Sequence, residues 1–85
     1  MTTIADLLKA ARGMNVDASP VRGADAVNFW ADPADRIPAA TVWLFGEHFS
    51  WGSDGEHVTS AATEASTVVS QVLATLADEQ EAEDA

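Results

Sequence analysis

The chain of 85 residues has no cysteine, no tyrosine and a single lysine. Without cysteine, a disulfide framework, a thiolate metal site and a cysteine nucleophile are all excluded. Only four residues are basic and they do not cluster, which excludes phosphate-mediated binding of nucleic acid and adhesion to an anionic membrane. No apolar run reaches the ~18 residues that a membrane-spanning helix needs.

The first residues also lack the basic region that precedes the apolar core of a signal peptide, because Lys9 follows the first apolar turn. We therefore expect a cytoplasmic location. Hydrophobic residues make up 47% of the chain, which is enough for a folded protein. The length allows one domain, which we expect at residues 1–80, followed by a disordered acidic tail at residues 81–85.

Acidic charge is concentrated in the second half of the chain. The formal net charge is −10, and residues 41–85 hold nine of the 14 acidic residues and no basic one. Alanine occurs 17 times, and this composition is typical of a high-GC genome or of a virus of such a host. The acidity either serves the function or reflects the general amino-acid composition of proteins in the source lineage, and the sequence leaves both interpretations open.

The first predicted element is a short helix. Thr3 is a suitable N-cap, and Asp6 follows it at the spacing of a capping box. Gly13 provides a stop signal. One apolar stripe with helical spacing runs through Ile4, Leu7, Leu8 and Ala11.

Two strands are predicted next. Alternation of apolar and polar residues indicates a strand within residues 14–21, and Pro20 confines that strand to an edge or ends it. A second strand is predicted over residues 26–31. Two prolines and several charges predict a loop at residues 31–39.

The clearest local pattern is a tight hairpin at residues 45–48. Gly46 occupies the first central position of a two-residue loop, as a type II′ turn requires. This loop places Phe45 opposite His48, and successive pairs then project from alternate faces. The predicted core face carries Val42, Leu44, Phe49 and Trp51, and the other face carries Trp43, Phe45, His48 and Ser50.

A long helix is predicted from about Ser60 to about Gln80, because apolar residues keep the helical period from Val58 to Ala77. These elements predict a two-layer α+β fold. It has a short N-terminal helix, a three- or four-stranded antiparallel sheet and a long C-terminal helix, with both helices on one face.

Four residues of the opposite face are the candidate interaction site: Trp30, Trp43, Phe45 and His48. Contiguous exposed apolar surface on a small protein usually marks an interface, and tryptophan is enriched at binding hot spots. We therefore predict a small acidic module that binds a protein partner or itself, with a homodimer as the simplest form. The alternative is that the loop covers these residues or that the helices lie on the other face.

Two further function classes stay open at this point. An acidic surface can imitate the phosphate charge of DNA, as in phage-type inhibitors of DNA-binding proteins. His48 and His57 end two Gly-Glu-His tripeptides and are metal-ligand types, so a metal-binding or catalytic role is the third hypothesis, although their spacing matches no metal motif. The sequence shows no nucleophile elbow or phosphate loop. We therefore expect no enzyme activity, no cofactor and no bound metal.

Overall fold

The fold comprises two helices and a five-stranded sheet. The computed structural model describes residues 1–32, 34, 36–52 and 55–84, with side chains up to residue 78. In chain order the elements are α1 (Ile4–Gly13), β1 (Asp17–Pro20), β2 (Ala26–Trp30), β3 (Ala40–Phe45), β4 (His48–Trp51), β5 (His57–Ser60) and α2 (Ala65–Asp84). The strands form an antiparallel meander in the order β1-β2-β3-β4-β5. The predicted α+β class is therefore confirmed.

Helix α1 begins with the predicted capping box. The Asp6 N–H donates to Thr3 Oγ1 at 3.2 Å, and the Thr3 N–H donates to the Asp6 carboxylate at 2.8 Å. These hydrogen bonds favour the charged carboxylate and lower the pKa of Asp6. At the other end Gly13 is still helical, and Asn15 takes the left-handed conformation with a φ of 57°, which asparagine tolerates better than most residues.

Strand β1 is shorter than the strand predicted within residues 14–21, because it begins at Asp17. It ends at Pro20 and lies at an edge of the sheet, as the missing proline N–H requires.

The hairpin of β3 and β4 has the predicted register. Phe45 pairs with His48, Leu44 with Phe49, and Trp43 with Ser50. Gly46 has a φ of 58°, the left-handed value that favours glycine in this turn.

The sheet has five strands where three or four were predicted, and α2 begins at Ala65 rather than near Ser60. Val58 stands at helical spacing before Ala65 and was therefore assigned to the helix, although it belongs to β5. A turn separates the two elements, in which the Ser60 side chain accepts the Ala62 N–H at 3.1 Å and the Ser60 carbonyl accepts the Thr63 N–H at 3.1 Å.

Two predictions fall partly outside the described residues. The composition of Gly-Ser-Asp-Gly predicts a turn at residues 52–55, of which residues 53 and 54 are not described. The division between a domain at 1–80 and a tail at 81–85 stays a prediction, because side chains beyond residue 78 are not described.

Within the described part, neither helix is both long enough and apolar enough to cross a membrane.

Both helices pack on one face of the sheet and form the core with it. Trp51 is tied to α2, because its indole N–H donates to Thr75 Oγ1 at 3.3 Å. Leu44 is half-buried and packs against the cluster. The buried cluster consists of Leu7, Ala11, Val27, Phe29, Val42, Phe49, Trp51, Ala61, Val68, Val69 and Val72.

The N-terminal residues are joined to the connection between β5 and α2. The Thr2 N–H donates to the Ala61 carbonyl at 2.7 Å, and Thr2 Oγ1 donates to the Thr63 carbonyl at 2.6 Å. Thr2 therefore holds the start of α1 beside the start of α2.

Candidate interaction face

The side of the sheet that faces away from the helices is named here the open face. Because side chains alternate along each strand, the register assigns every strand position to one face. The open face consists of Asp17, Ser19, Ala26, Asn28, Trp30, Thr41, Trp43, Phe45, His48, Ser50, Val58 and Ser60. Within this set Asp17 is the only residue with a formal charge at neutral pH.

Trp43 and Phe45 form a stacked aromatic pair on β3. Their ring centroids lie 6.2 Å apart with an interplanar angle of 13°. Trp43 is 40% exposed and Phe45 is 63% exposed, so both rings present apolar surface to solvent. Ala26 lies opposite Trp43 on β2 and is fully buried, yet it is not part of the core cluster. At 40% exposure Trp43 is partly covered by its neighbours and still presents apolar surface to solvent.

His48 lies beside this pair at the turn. It is exposed and is the cross-strand partner of Phe45, and on its other side it pairs with Ser60 of β5. The predicted grouping of Trp43, Phe45 and His48 at one end of the open face therefore has a structural basis in the hairpin register.

Trp30 lies on the same face but at its other end. In the register Ala26 pairs with Trp43, and Trp30 is four residues further along β2, which corresponds to about 13 Å. Its indole N–H donates to Ser19 Oγ at 3.0 Å, and the side chain is half-buried. Trp30 is thus separated from the aromatic pair rather than joined to it.

A polar pair fills the space between the two groups of aromatic residues. Thr41 Oγ1 donates to the side-chain oxygen of Asn28 at 2.8 Å, across β3 and β2. Both side chains are uncharged. Because the Thr41 hydroxyl and the Asn28 side-chain oxygen are hydrogen-bonded to each other, this part of the face does not require a ligand.

Val58 extends the open face beyond the predicted residues. It is 59% exposed and pairs with Ser50, which in turn pairs with Trp43. Val58 is not among the predicted interaction residues, because its spacing also fits the helical period of α2. The signal that indicated a strand was the pair of adjacent β-branched residues, Val58 and Thr59, after a glycine-rich turn.

His57 lies on the opposite side of the sheet from His48. It pairs with Trp51, and the two rings stack with centroids 5.7 Å apart and an interplanar angle of 18°. Its Nε2 is 3.5 Å from Glu56 Oε1. The described residues include no group of three or more His, Cys, Asp or Glu that could hold a metal ion. The structure does not bring the two histidines together.

Comparisons with known proteins leave the geometry as the guide to function. No protein-family model, no curated protein and no solved structure matches this chain.

Proposed function

We propose that this chain is a small acidic protein-interaction module of the cytoplasm, without enzyme activity, that binds a protein partner or a second copy of itself through the open face. The observation that carries the proposal is the stacked pair of Trp43 and Phe45, which is exposed on a sheet face with one formal charge. Protein binding alone accounts for the exposed Trp43 and Phe45 pair, without any catalytic group.

The composition of the open face supports an interface. The centres of protein interfaces are enriched in aromatic residues and depleted of charge relative to other surfaces. The chain is 21% charged, yet its charges are largely absent from this face. An exposed aromatic sheet face also promotes aggregation when nothing covers it, which favours a dedicated partner.

The test compares Trp43→Ala with Ile37→Ala. Both replace an exposed apolar side chain, since Ile37 is 79% exposed, but Ile37 lies in the loop between β2 and β3. Trp43→Ala should weaken self-association or partner binding by at least about tenfold, because a tryptophan anchor contributes ~2 kcal/mol or more. Ile37→Ala should leave the dissociation constant unchanged. Sedimentation equilibrium measures self-association, and titration calorimetry measures the affinity for a co-purified protein.

The salt dependence of binding separates the open face from acidic mimicry. Binding through aromatic residues should persist at about 0.5 M NaCl, where charge interactions are screened within a few ångströms. Binding that collapses in salt and is unchanged by Trp43→Ala would support the acidic inhibitor or DNA mimic instead. Thermal unfolding of each variant is the control, and loss of the fold in Trp43→Ala would place this residue in the core.

A further inference from the structure

The two edges of the sheet are protected to different degrees. The β1 edge carries Asp17 and Pro20 and lies against α1. Charge, proline and a covering element are the usual means of preventing edge-to-edge pairing. Strand β5, at the other edge, has the sequence His57-Val58-Thr59-Ser60, with no proline, no glycine and no formally charged residue. Both strands have four residues, so length does not account for the difference.

The N–H and the carbonyl of Val58 point away from β4, towards the free edge of the sheet. The Ala61 N–H donates to the Glu47 carbonyl at 2.8 Å, which continues the ladder between β5 and β4. Because the peptide groups of alternate residues point to opposite sides of a strand, Thr59 bonds towards β4 and Val58 points outwards. Outside the sheet ladders, no hydrogen bond found among the described residues involves the N–H or the carbonyl of Val58.

The helical layer leaves a gap at this edge. Helix α1 lies over β1 and β2, at the other side of the sheet. An open groove of about 480 Å³ separates β5 from α2, and its lining includes His57, Thr59, Gln71, Ala74 and Thr75.

Charge on this side of the molecule lies beyond the ends of β5, where Glu56 lines the groove. From His57 to Ala77 the only charged residue is Glu64, in a chain whose net charge is −10. That segment forms β5 and the first part of α2 up to Ala77. Two copies of so acidic a chain repel each other, and the repulsion is smallest where they meet through an uncharged side.

We propose that a second copy of this chain pairs with β5 in antiparallel orientation, with Val58 opposite Val58 at a twofold axis. The two Val58 residues then exchange both N–H···O=C hydrogen bonds, and their side chains meet on the open face. The paired meanders form one continuous ten-stranded sheet. This surface is separate from the Trp43 and Phe45 surface, which stays uncovered in such a dimer.

The charges support a second copy over a basic peptide. Near β5 the described acids are Glu47, Glu56 and Glu64, and all three lie beyond the ends of the strand, so a basic peptide would find no acidic partner along the edge itself. A second copy presents the same uncharged edge. In the antiparallel pair the two Glu56 residues are four positions apart along the strands, or about 14 Å, and the acidic ends of the two α2 helices point in opposite directions.

The test blocks the edge in two ways. Val58→Pro removes the outward N–H and leaves the β4 ladder intact, because that ladder does not use it. Val58→Lys places like charges opposite each other at the twofold axis, and Ile37→Lys is its control with the same charge change. In sedimentation equilibrium we expect a wild-type dimer whose dissociation constant rises at least about tenfold in both Val58 variants and does not rise in Ile37→Lys.

Hydrogen exchange of the unmodified chain provides a readout that does not depend on variant folding. The Val58 amide should exchange more slowly as protein concentration rises, while the outward amide of the β1 edge, that of Ala18, should not change. A wild-type chain that stays monomeric at millimolar concentration in about 0.5 M NaCl overturns the proposal. A dimer that survives Val58→Pro but is lost in Trp43→Ala overturns it as well, while supporting the open face as the dimer surface.

Discussion

Phe45 and Phe49 are the same residue type in the same hairpin, but they lie on opposite faces. Phe49 is fully buried under the helices, and Phe45 is 63% exposed on the open face. The same alternation separates Trp51, which is tied to α2, from Trp43, which stacks on Phe45. The register set by the turn at Gly46 thus places one set of the hairpin's aromatic residues in the core and the other set in contact with solvent.

The largest expected effect comes from truncating the two phenylalanines. Phe49→Ala should lower the free energy of unfolding by ~3–5 kcal/mol, because it leaves a cavity in the core. Phe45→Ala should change it by less than about 1 kcal/mol, because its ring is mostly in solvent already. Urea denaturation followed by circular dichroism measures both. Equal losses in the two variants would show that the faces do not differ in this way.

A smaller effect is expected at the turn that assigns residues to the two faces. Gly46→Val should cost ~1–2 kcal/mol, because a β-branched residue disfavours a φ of 58°. A Cβ at this position would meet no atom within 4 Å apart from the adjacent residues, so the loss comes from the local backbone conformation and not from contact with another part of the fold. Gly46→Asn is the control and should lose less, since asparagine visits positive φ more readily. Thermal melts that show no difference between the two variants would contradict this explanation.

The two tryptophans of the hairpin allow a second comparison between the core and the open face, because Trp51 makes a hydrogen bond within the core. Trp51→Phe removes the donor to Thr75 and should cost ~1 kcal/mol beyond the effect of the smaller ring. Trp43→Phe should be nearly neutral for stability. A double-mutant cycle of Trp51→Phe with Thr75→Val should give a coupling energy of ~0.5–1.5 kcal/mol. Additive losses would mean that this hydrogen bond does not contribute to stability.

The smallest effect is expected at the cap of α1, which belongs to neither face. Since the Thr3 hydrogen bonds lower the pKa of folded Asp6, ionised Asp6 adds stability above the ordinary carboxyl pKa. This stability is lost as the pH falls through the lowered folded value. Asp6→Asn should therefore reduce the fall in the free energy of unfolding that accompanies acidification. The difference in stability between Phe45→Ala and Phe49→Ala should be the same with and without this change. An acid limb identical to that of the wild type would contradict the role of this cap.

The local elements were largely predictable from the sequence, because short-range chemistry determines them. The capping box depends on Thr3 and Asp6 alone, and the hairpin depends on Gly46 and the alternation around it. Both are confirmed. The exposure of Trp43 follows from the same register.

Strand β5 was not predictable in the same way. Val58 fits both the helical period of α2 and the alternation of a strand, and only its pairing with β4 decides between them. The separation of Trp30 from Trp43 has a similar cause, since it depends on the register between β2 and β3, and the loop between those strands does not specify that register as a tight turn does.

The hydrogen bonds of Thr2 imply an order of events in folding. Every strand pair in the meander joins neighbours along the chain, so the sheet can form through short loop closures, which are rapid. The bond from Thr2 to Thr63 spans 61 residues, so it requires a much longer loop closure than any strand pair. We therefore expect the hairpins to form first. The docking of the N-terminal residues beside α2 should be the late step, visible as a low φ-value for Thr2→Val in folding kinetics.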